Sequence, residues 1–304
     1  MTRGEAERLL ALTREAKLVG PEAVRWVERL APQREELAEA VRFLGENGDE
    51  ESAVEFAANV WRLWLLKGDI PGGRLLLAAA LDSGEGRPSR ARALALYGDG
   101  LLAFRAGAMI DSQDRNDAAL RAARTVGDRE AEALALVGLS RVAFRNGDYA
   151  SVRSLAAEAR DLTRTLDAAA GAAPLHLLAA GTRLAGDYDE ATGLYAESLE
   201  LNRRLGDSRG VAMELHNIGH VELHRGNVDA AERCFADCAD VRNHDDPYEV
   251  AMTHLNHAAL AFSRGDRERA AELLRRTQSA LDGAGIVLDP DDAFEVEWLH
   301  ERVG

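Results

Sequence analysis

The chain has 304 residues, and its 52 acidic against 37 basic side chains give a formal net charge of -15. Because a chain this acidic repels polyphosphate, nucleic acid is not the expected partner. No segment has the roughly 20 consecutive apolar residues that a membrane-spanning helix needs, and the charged first residues do not form a secretory signal. The two cysteines provide no disulfide framework, so we expect a cytoplasmic protein.

The first 48 residues predict an N-terminal helical cap. Apolar side chains recur at helical spacing over residues 4–18, 22–31 and 33–46. This segment lacks the regular glycines of the chain that follows. The end units of a repeat array are atypical because each repeat buries its apolar face only against its neighbours. We therefore assign residues 1–48 to the cap.

Residues 49–286 repeat at intervals of 39 or 40 residues. In each unit a glycine follows a helical stretch, and these glycines are Gly68, Gly107, Gly147, Gly186, Gly226 and Gly265. A second series, offset by 20 residues, comprises Gly48, Gly127, Asp167, Gly206, Asp246 and Gly285. Glycine turns into the left-handed conformation after a helix without a Cβ clash, and a following Asp or Asn caps the next helix. The pattern predicts six helix pairs, with a turn-rich loop over residues 84–89 that is either a hinge or a long turn.

Several segments resemble the tetratricopeptide repeat (TPR) signature. These are Leu215-His216-Asn217-Ile218-Gly219 with Gly226-Asn227, Gly147-Asp148-Tyr149, and Gly186-Asp187-Tyr188. The resemblance implies an all-α fold, a right-handed superhelical α-solenoid of TPR-like helix pairs with helical caps. The period is longer than the usual value of about 34 residues. That variant resembles the sensor arms of bacterial signal-transduction ATPases and peptide-sensing regulators, of which we expect only the arm here.

The resemblance also implies that the first helix of each pair lines a concave groove. The polar side chains at the groove positions are mostly cationic, and they are Glu55, Arg62, Tyr97, Arg105, Arg141, Arg145, His176, Arg183, His216, His220 and His224. Such a concentration of cations in an acidic chain suits an acidic peptide or protein tail. We therefore predict a protein- or peptide-binding module, a regulatory adaptor or sensor, with homo-oligomers also possible.

Three histidines four residues apart share one helix face. His216, His220 and His224 span about 12 Å of helix, so two neighbours can chelate a metal ion but three cannot share one. No carboxylate or thiol stands at ligand spacing on that face. A metal-binding or enzymatic use of these histidines, or a scaffold for self-assembly, are the alternative functions. Because the sequence has no nucleophile–base–acid set and no phosphate loop, we predict no catalysis, no cofactor and no bound metal.

Two further features remain open at this stage. Asp99, Arg115 and Asn116 occupy positions that are apolar in the other units, so they either satisfy one another locally or form a polar seam kept for function. The last segment, residues 287–304, contains an acidic helix over 290–302. That helix is either a solvated C-terminal cap or an autoinhibitory segment that folds toward the basic groove.

Overall fold

The computed structural model describes residues 1–20, 22–82, 86–241, 246–284 and 288–303. Within these ranges the chain is helical and contains no strand. None of the described helices is long and apolar enough to cross a membrane. Gly84 of the predicted loop and Gly285 of the second series lie outside the described residues.

The helices follow one another with short connections. In chain order they are α1 (Arg3–Arg14), α2 (Ala23–Leu30), α3 (Arg34–Glu46), α4 (Glu50–Leu66), α5 (Ile70–Leu81), α6 (Arg90–Arg105), α7 (Met109–Val126), α8 (Arg129–Arg145), α9 (Tyr149–Thr163), α10 (Ala172–Leu184), α11 (Tyr188–Leu205), α12 (Ser208–His224), α13 (Val228–Val241), α14 (Pro247–Ser263), α15 (Arg267–Ala284) and α16 (Pro290–Val303). Short 3-10 turns precede α3 and α10. The described helices from α4 to α15 succeed one another as predicted, and contacts pair α4 with α5, α6 with α7, α10 with α11, α12 with α13 and α14 with α15. The all-α fold of TPR-like pairs is thereby confirmed.

The glycines that punctuate the repeat lie between helices, as predicted. Gly68, Gly147 and Gly226 have φ values of 72°, 73° and 82°, a left-handed conformation in which other residues are strained. The aspartates that follow act as caps. Asp69 accepts a hydrogen bond from the Gly72 amide at 3.0 Å, and Asp148 accepts one from the Ser151 amide at 3.1 Å.

The first compact unit spans Met1–Val142. Here α1 packs against α3 and α4, and the predicted cap helices are present, with α1 ending at Arg14 and not at residue 18. Large side chains that are at most 2% exposed form its core, among them Leu37, Leu44, Phe56, Trp61, Leu63, Leu77 and Leu102. Full burial of such a side chain contributes about 1.5–3 kcal/mol.

The second compact unit spans Ala143–Gly304 and begins with the last residues of α8. Tyr195, Phe235, Met252 and Leu255 are buried in it, and α16 packs against α14 and α15. The domain limits 1–48, 49–286 and 287–304 stay predictions, because neither unit ends at one of them.

A glycine contact between α12 and α13 allows a test of the packing in the second unit. A Cβ on Gly219 would lie 2.6 Å from Cδ1 of Phe235, whereas a Cβ on Gly193 in α11 would meet nothing within 4 Å. We expect Gly219→Ala to destabilise the protein by about 1–3 kcal/mol through overpacking. The matched Gly193→Ala should stabilise it by about 0.5–1 kcal/mol. Urea unfolding measures both, and equal stability of the two variants would contradict the assigned packing.

Candidate functional site

The predicted groove positions fall in both compact units. Arg62, Tyr97, Arg105 and Arg141 belong to the first unit, on α4, α6 and α8. The second unit contains the remaining cationic positions, which are Arg145, His176, Arg183, His216, His220 and His224. Each unit is described by itself below.

In the first unit, Arg62, Tyr97 and Arg141 form what we call the arginine patch. The Arg62 guanidinium lies over the Trp61 ring, with Cζ 4.4 Å from the ring centroid, and Trp61 meets Tyr97 edge to face at 6.1 Å. Arg141 donates a long hydrogen bond of 3.5 Å to the Tyr97 hydroxyl. Burial lowers the pKa of the Arg62 guanidinium, while Tyr97 and the charge of Glu130 raise it and the charge of Arg141 lowers it.

The arginine patch has no carboxylate in direct contact among the described residues, although the charge of Glu130 acts on Arg62 from farther away. No carboxylate there lies within 4.0 Å of the guanidinium nitrogens of Arg62 or Arg141, and Arg105 is exposed. Glu55, the one acidic groove position, instead pairs with Arg14 at 2.7 Å. Two cations held close together repel each other, so this arrangement favours an anion.

The secondary candidate satisfies its polar groups mostly by local contacts. Asp99 is 2% exposed and lies 2.8 Å from Nε of Arg115 and 3.2 Å from Nε of Arg74. Asn116 donates to the Ser112 carbonyl at 2.7 Å, while its own side-chain oxygen has no hydrogen-bond donor among the described residues. Buried polar groups persist when they pair in this way. The local alternative is therefore the one that these contacts favour.

In the second unit, the acidic residues of α16 meet the predicted groove cations. We call Asp291, Asp292 and Glu295 the acidic face of α16, and their exposed fractions are 5%, 6% and 1%. The acidic face contacts α10 through Arg183 and α12 through His216, His220 and His224, the three residues that we call the imidazole row. The predicted solvated cap is therefore wrong, and the alternative in which this helix folds toward the cations agrees with the contacts.

Arg183 and Glu295 form a buried ion pair. Nη2 of Arg183 lies 2.9 Å from Oε1 of Glu295, and each side chain is 1% exposed. The same nitrogen donates to the Asp291 carbonyl at 3.0 Å, and Nη1 donates to Asn217. Burial opposes the charge on Arg183, but the Glu295 carboxylate more than offsets it, so the pKa of Arg183 is raised.

Glu295 also contacts two imidazoles of the row. Nε2 of His224 lies 3.0 Å from Oε1 of Glu295, and Nδ1 of His220 lies 3.1 Å from Oε2 without hydrogen-bond geometry. His220 Nε2 lies 3.1 Å from Oδ1 of Asn256. Burial raises the pKa of Glu295, but the charges of His220 and Arg183 hold it well below the usual value.

Asp292 and Asp291 complete the acidic face in different ways. Asp292 lies 2.9 Å from Nε2 of His216 and accepts a hydrogen bond from the Tyr248 hydroxyl. Burial and the charge of Asp292 raise the pKa of Tyr248. The pKa of Asp291 is also raised, first by burial and then by the like charge of Asp292.

Aromatic side chains surround the end of the imidazole row. Tyr188 stacks on His224 with ring centroids 5.4 Å apart, and Trp298 of α16 meets His224 edge on at 4.9 Å. Trp298 also contacts Phe262 at 5.5 Å. Each such aromatic pair stabilises the structure by about 0.5–1.5 kcal/mol beyond the contribution of the apolar surface that it buries. Trp298 thus anchors α16 beside its carboxylates.

The remaining cations of the second unit lie at the edges of this contact. Arg145 donates to the Leu288 carbonyl at 2.8 Å and lies 3.6 Å from Asp289. Nδ1 of His176 lies 3.1 Å from Glu214, a carboxylate that is fully buried and also accepts from the Ser198 hydroxyl at 2.7 Å. Burial opposes protonation of His176, yet the Glu214 charge raises its pKa to about 9.

The structure corrects two expectations about these positions. Side chains that line a groove are expected to be exposed, but Arg183, Tyr97, His216 and His220 are buried. The face of the imidazole row does meet carboxylates, because α16 supplies Asp292 and Glu295 from a distant part of the sequence. Within the described ranges, no group of three His, Cys, Asp or Glu side chains is arranged to hold a metal ion. The use of the groove positions in binding stays a prediction.

Sequence reasoning missed several residues that organise the second unit. Glu214 and Asn256 contact groove histidines and Tyr248 contacts Asp292, although none of the three lies at a groove position of the resemblance. Tyr248 reaches the row only through Asp292, so no spacing in the sequence indicates it. Glu214 carries a weak signal, because a charged residue in the middle of an otherwise apolar helix face needs a partner when it is buried.

Comparison with known proteins places the fold. Residues 172–243 match the family model of the tetratricopeptide repeat. No curated protein has a sequence significantly similar to this chain. A Rap protein complexed with competence and sporulation factor has a similar structure, with a TM-score of 0.65 and 12% sequence identity over 98% of this chain and 86% of that chain. The predicted resemblance to tetratricopeptide-repeat proteins is thereby confirmed.

A second regulator has been solved in two states that are both similar to this chain. The apo form of the quorum sensor NprR from B. thuringiensis gives a TM-score of 0.60 and 17% identity over 90% of this chain and 80% of that chain. NprR in complex with its cognate peptide NprX gives a TM-score of 0.60 and 16% identity over 90% and 83%. At such identities the shared property is the fold, and the chain resembles these sensors in that respect.

Proposed function

We propose that this chain is a non-catalytic binding module, a regulatory adaptor or sensor that holds an acidic peptide or protein tail against the predicted groove positions. One observation carries the proposal. In the second unit, these positions contact the carboxylates Asp292 and Glu295 of a helix. Side chains that accept an acidic helix of their own chain have the chemistry to accept one from a partner.

Two further observations support the proposal. The arginine patch of the first unit holds Arg62 and Arg141 without a carboxylate within 4.0 Å among the described residues. Two structures of similar fold are complexes, the Rap protein with competence and sporulation factor and NprR with its cognate peptide. A peptide or protein is therefore the partner class that we propose for this chain.

The arginine patch allows a direct test with a labelled peptide of ten glutamates and an equal peptide of ten glutamines. We expect the wild-type chain to bind the glutamate peptide in preference and the double variant Arg62→Gln/Arg141→Gln to bind it about 10- to 100-fold more weakly. Each desolvated contact between a charged donor and a carboxylate is worth about 1.5–3 kcal/mol, and 1.4 kcal/mol is tenfold in affinity. Fluorescence anisotropy at low and high salt measures the change, and salt should weaken the wild-type affinity.

The matched control removes the same charge from α9. Arg153 and Arg160 are partly buried arginines that pair with Glu190 and Glu197 at 2.9 Å and 2.6 Å. We expect Arg153→Gln/Arg160→Gln to leave the affinity unchanged. Equal binding of the glutamate and glutamine peptides, or an equal loss in both double variants, would show that binding does not depend on the arginine patch.

A further inference from the structure

We propose that α16 is an internal ligand of the second unit, where it occupies the site at which a partner would dock an acidic amphipathic helix. Binding of the partner there then requires release of α16. This inference rests on the proposed function and adds the kind of partner and its competitor. It concerns only the contact between α16 and the cations of α10 and α12.

The burial of the acidic face is the first argument. Asp291 and Asp292 stand in the first turn of α16, where the helix dipole favours negative charge even at an exposed site. A cap therefore has no need to bury them. Yet both are nearly inaccessible, and Glu297 and Glu301 of the same helix are exposed. The acidic residues of α16 are thus divided between a buried face and a solvated face.

The physical cost of this burial is the second argument. Removing a carboxylate from water is expensive, and a well-packed apolar contact fixes a terminal helix at least as well. The apolar contact is present, because Val296 and Leu299 of α16 are buried in one cluster with Leu255 and Leu273. Docking of α16 on α14 and α15 therefore does not explain Arg183 or the imidazole row. A cationic surface that selects a carboxylate-bearing helix does explain them.

The third argument is the specificity of the contact. Glu295 meets three cationic or imidazole side chains within 3.1 Å, which are Arg183, His220 and His224. Asp292 stands one turn earlier and meets His216, and Trp298 stands one turn later and packs against His224. Acid, acid and aromatic at intervals of three residues thus follow one stripe of the helix. The partner helix that fits this site carries the same stripe.

Because α16 belongs to the same chain as its site, it has an advantage over a helix added in solution. A segment of the same chain acts at an effective concentration of about millimolar, so an identical helix supplied in solution competes poorly while α16 is docked. Weakening α16 without touching α10 or α12 removes this competition. The apparent affinity for an added helix is proportional to the fraction of chains in which the site is open, so it rises when α16 is released.

The experiment uses the full chain and a labelled synthetic peptide with the sequence of residues 288–303. In the variant Asp292→Ala/Glu295→Ala, we expect the peptide to bind at least about tenfold more tightly than it binds the wild-type chain. The matched control Glu297→Ala/Glu301→Ala removes two exposed acids from the same helix and should bind the peptide like wild type. We call the chain with Asp292→Ala/Glu295→Ala the released variant. A peptide carrying Asp292→Asn and Glu295→Gln should not bind it.

Hydrogen exchange on the wild-type chain provides a second measurement that needs no variant. With a saturating heavy-isotope peptide, whose fragments differ in mass from those of the chain, amides of residues 290–303 in the chain should exchange faster. Circular dichroism first establishes whether the released variant is folded. If it is unfolded, the exchange measurement on the wild-type chain alone tests the proposal. Equal peptide affinity of a folded released variant and wild type, or unchanged exchange, overturns the proposal. Neither outcome decides the proposed function, because the glutamate-peptide test of the arginine patch is an independent measurement.

Discussion

Replacing Arg183 by methionine is expected to undock α16 and to cost about 3–5 kcal/mol of stability in the second unit. The change leaves the Glu295 carboxylate, which is 1% exposed, without its guanidinium partner. Removing one partner of a buried ion pair carries a penalty of this size, whereas an apolar pair of similar volume in the same place is often neutral. The double variant Arg183→Met/Glu295→Leu should therefore recover most of the loss.

Urea unfolding of the two single variants, the double variant and wild type measures this coupling as a double-mutant cycle. Hydrogen exchange of α16 distinguishes undocking of the helix from unfolding of the whole unit. Arg160→Met serves as the control, because Arg160 pairs with Glu197 across a more exposed contact and should lose only about 0–1 kcal/mol. If Arg183→Met costs no more than Arg160→Met, then the ion pair does not hold α16.

The repeat could be predicted because its signals are local. Gly107 and Gly186 end their helices with φ values of 77° and 89°, and each turn depends only on the residues around it. Asp187, the residue after Gly186, caps α11 in the expected way. Such a pattern requires no knowledge of distant parts of the chain, and the helix pairs follow from it.

The contact of α16 could not be predicted in the same way, because its partners are far away in the sequence. Glu295 and Arg183 are 112 residues apart, and no periodicity relates them. Acidic residues in a helix are usually on its solvent face, so the solvated cap was the expected outcome. The alternative had one basis, the complementarity of an acidic helix to a cationic surface. Complementarity indicates which surfaces suit each other but not whether they meet.

The groove positions show the same limit at single residues. The resemblance puts Arg62 and Arg183 at two different groove positions of their first helices, and the structure places each on its expected helix. Yet Arg62 lies on an aromatic ring without a carboxylate within 4.0 Å among the described residues, and Arg183 is fully buried against α16. Position within the repeat therefore predicts the helix and the face. The exposure of a side chain depends on which other segment covers it.

His176 should make the stability of the second unit depend on pH in the alkaline range. Its pKa is about 9 in the folded chain, because Glu214 lies 3.1 Å away, against 6.5 for an ordinary histidine. A group whose pKa is raised by folding contributes its full stabilisation to the folded state at pH values below its pKa in the unfolded chain. This contribution is lost as the pH rises through the pKa of the group in the folded chain. The contribution should thus be complete at about pH 6 and absent above about pH 10. Its size is up to about 3 kcal/mol, at 1.36 kcal/mol per pH unit.

The test compares the wild-type chain with His176→Gln by urea unfolding at intervals from pH 6 to pH 10. The wild-type advantage should be largest at pH 6 and should shrink steadily toward pH 10. Asp291 and Asp289 also raise the pKa of His176, and the nearby Tyr195 does not titrate in this window, because burial raises its pKa well above 10. His257→Gln is the matched control, because His257 is exposed. An advantage that stays constant across the range would mean that His176 is neutral in the folded chain and that Glu214 is not its ionic partner.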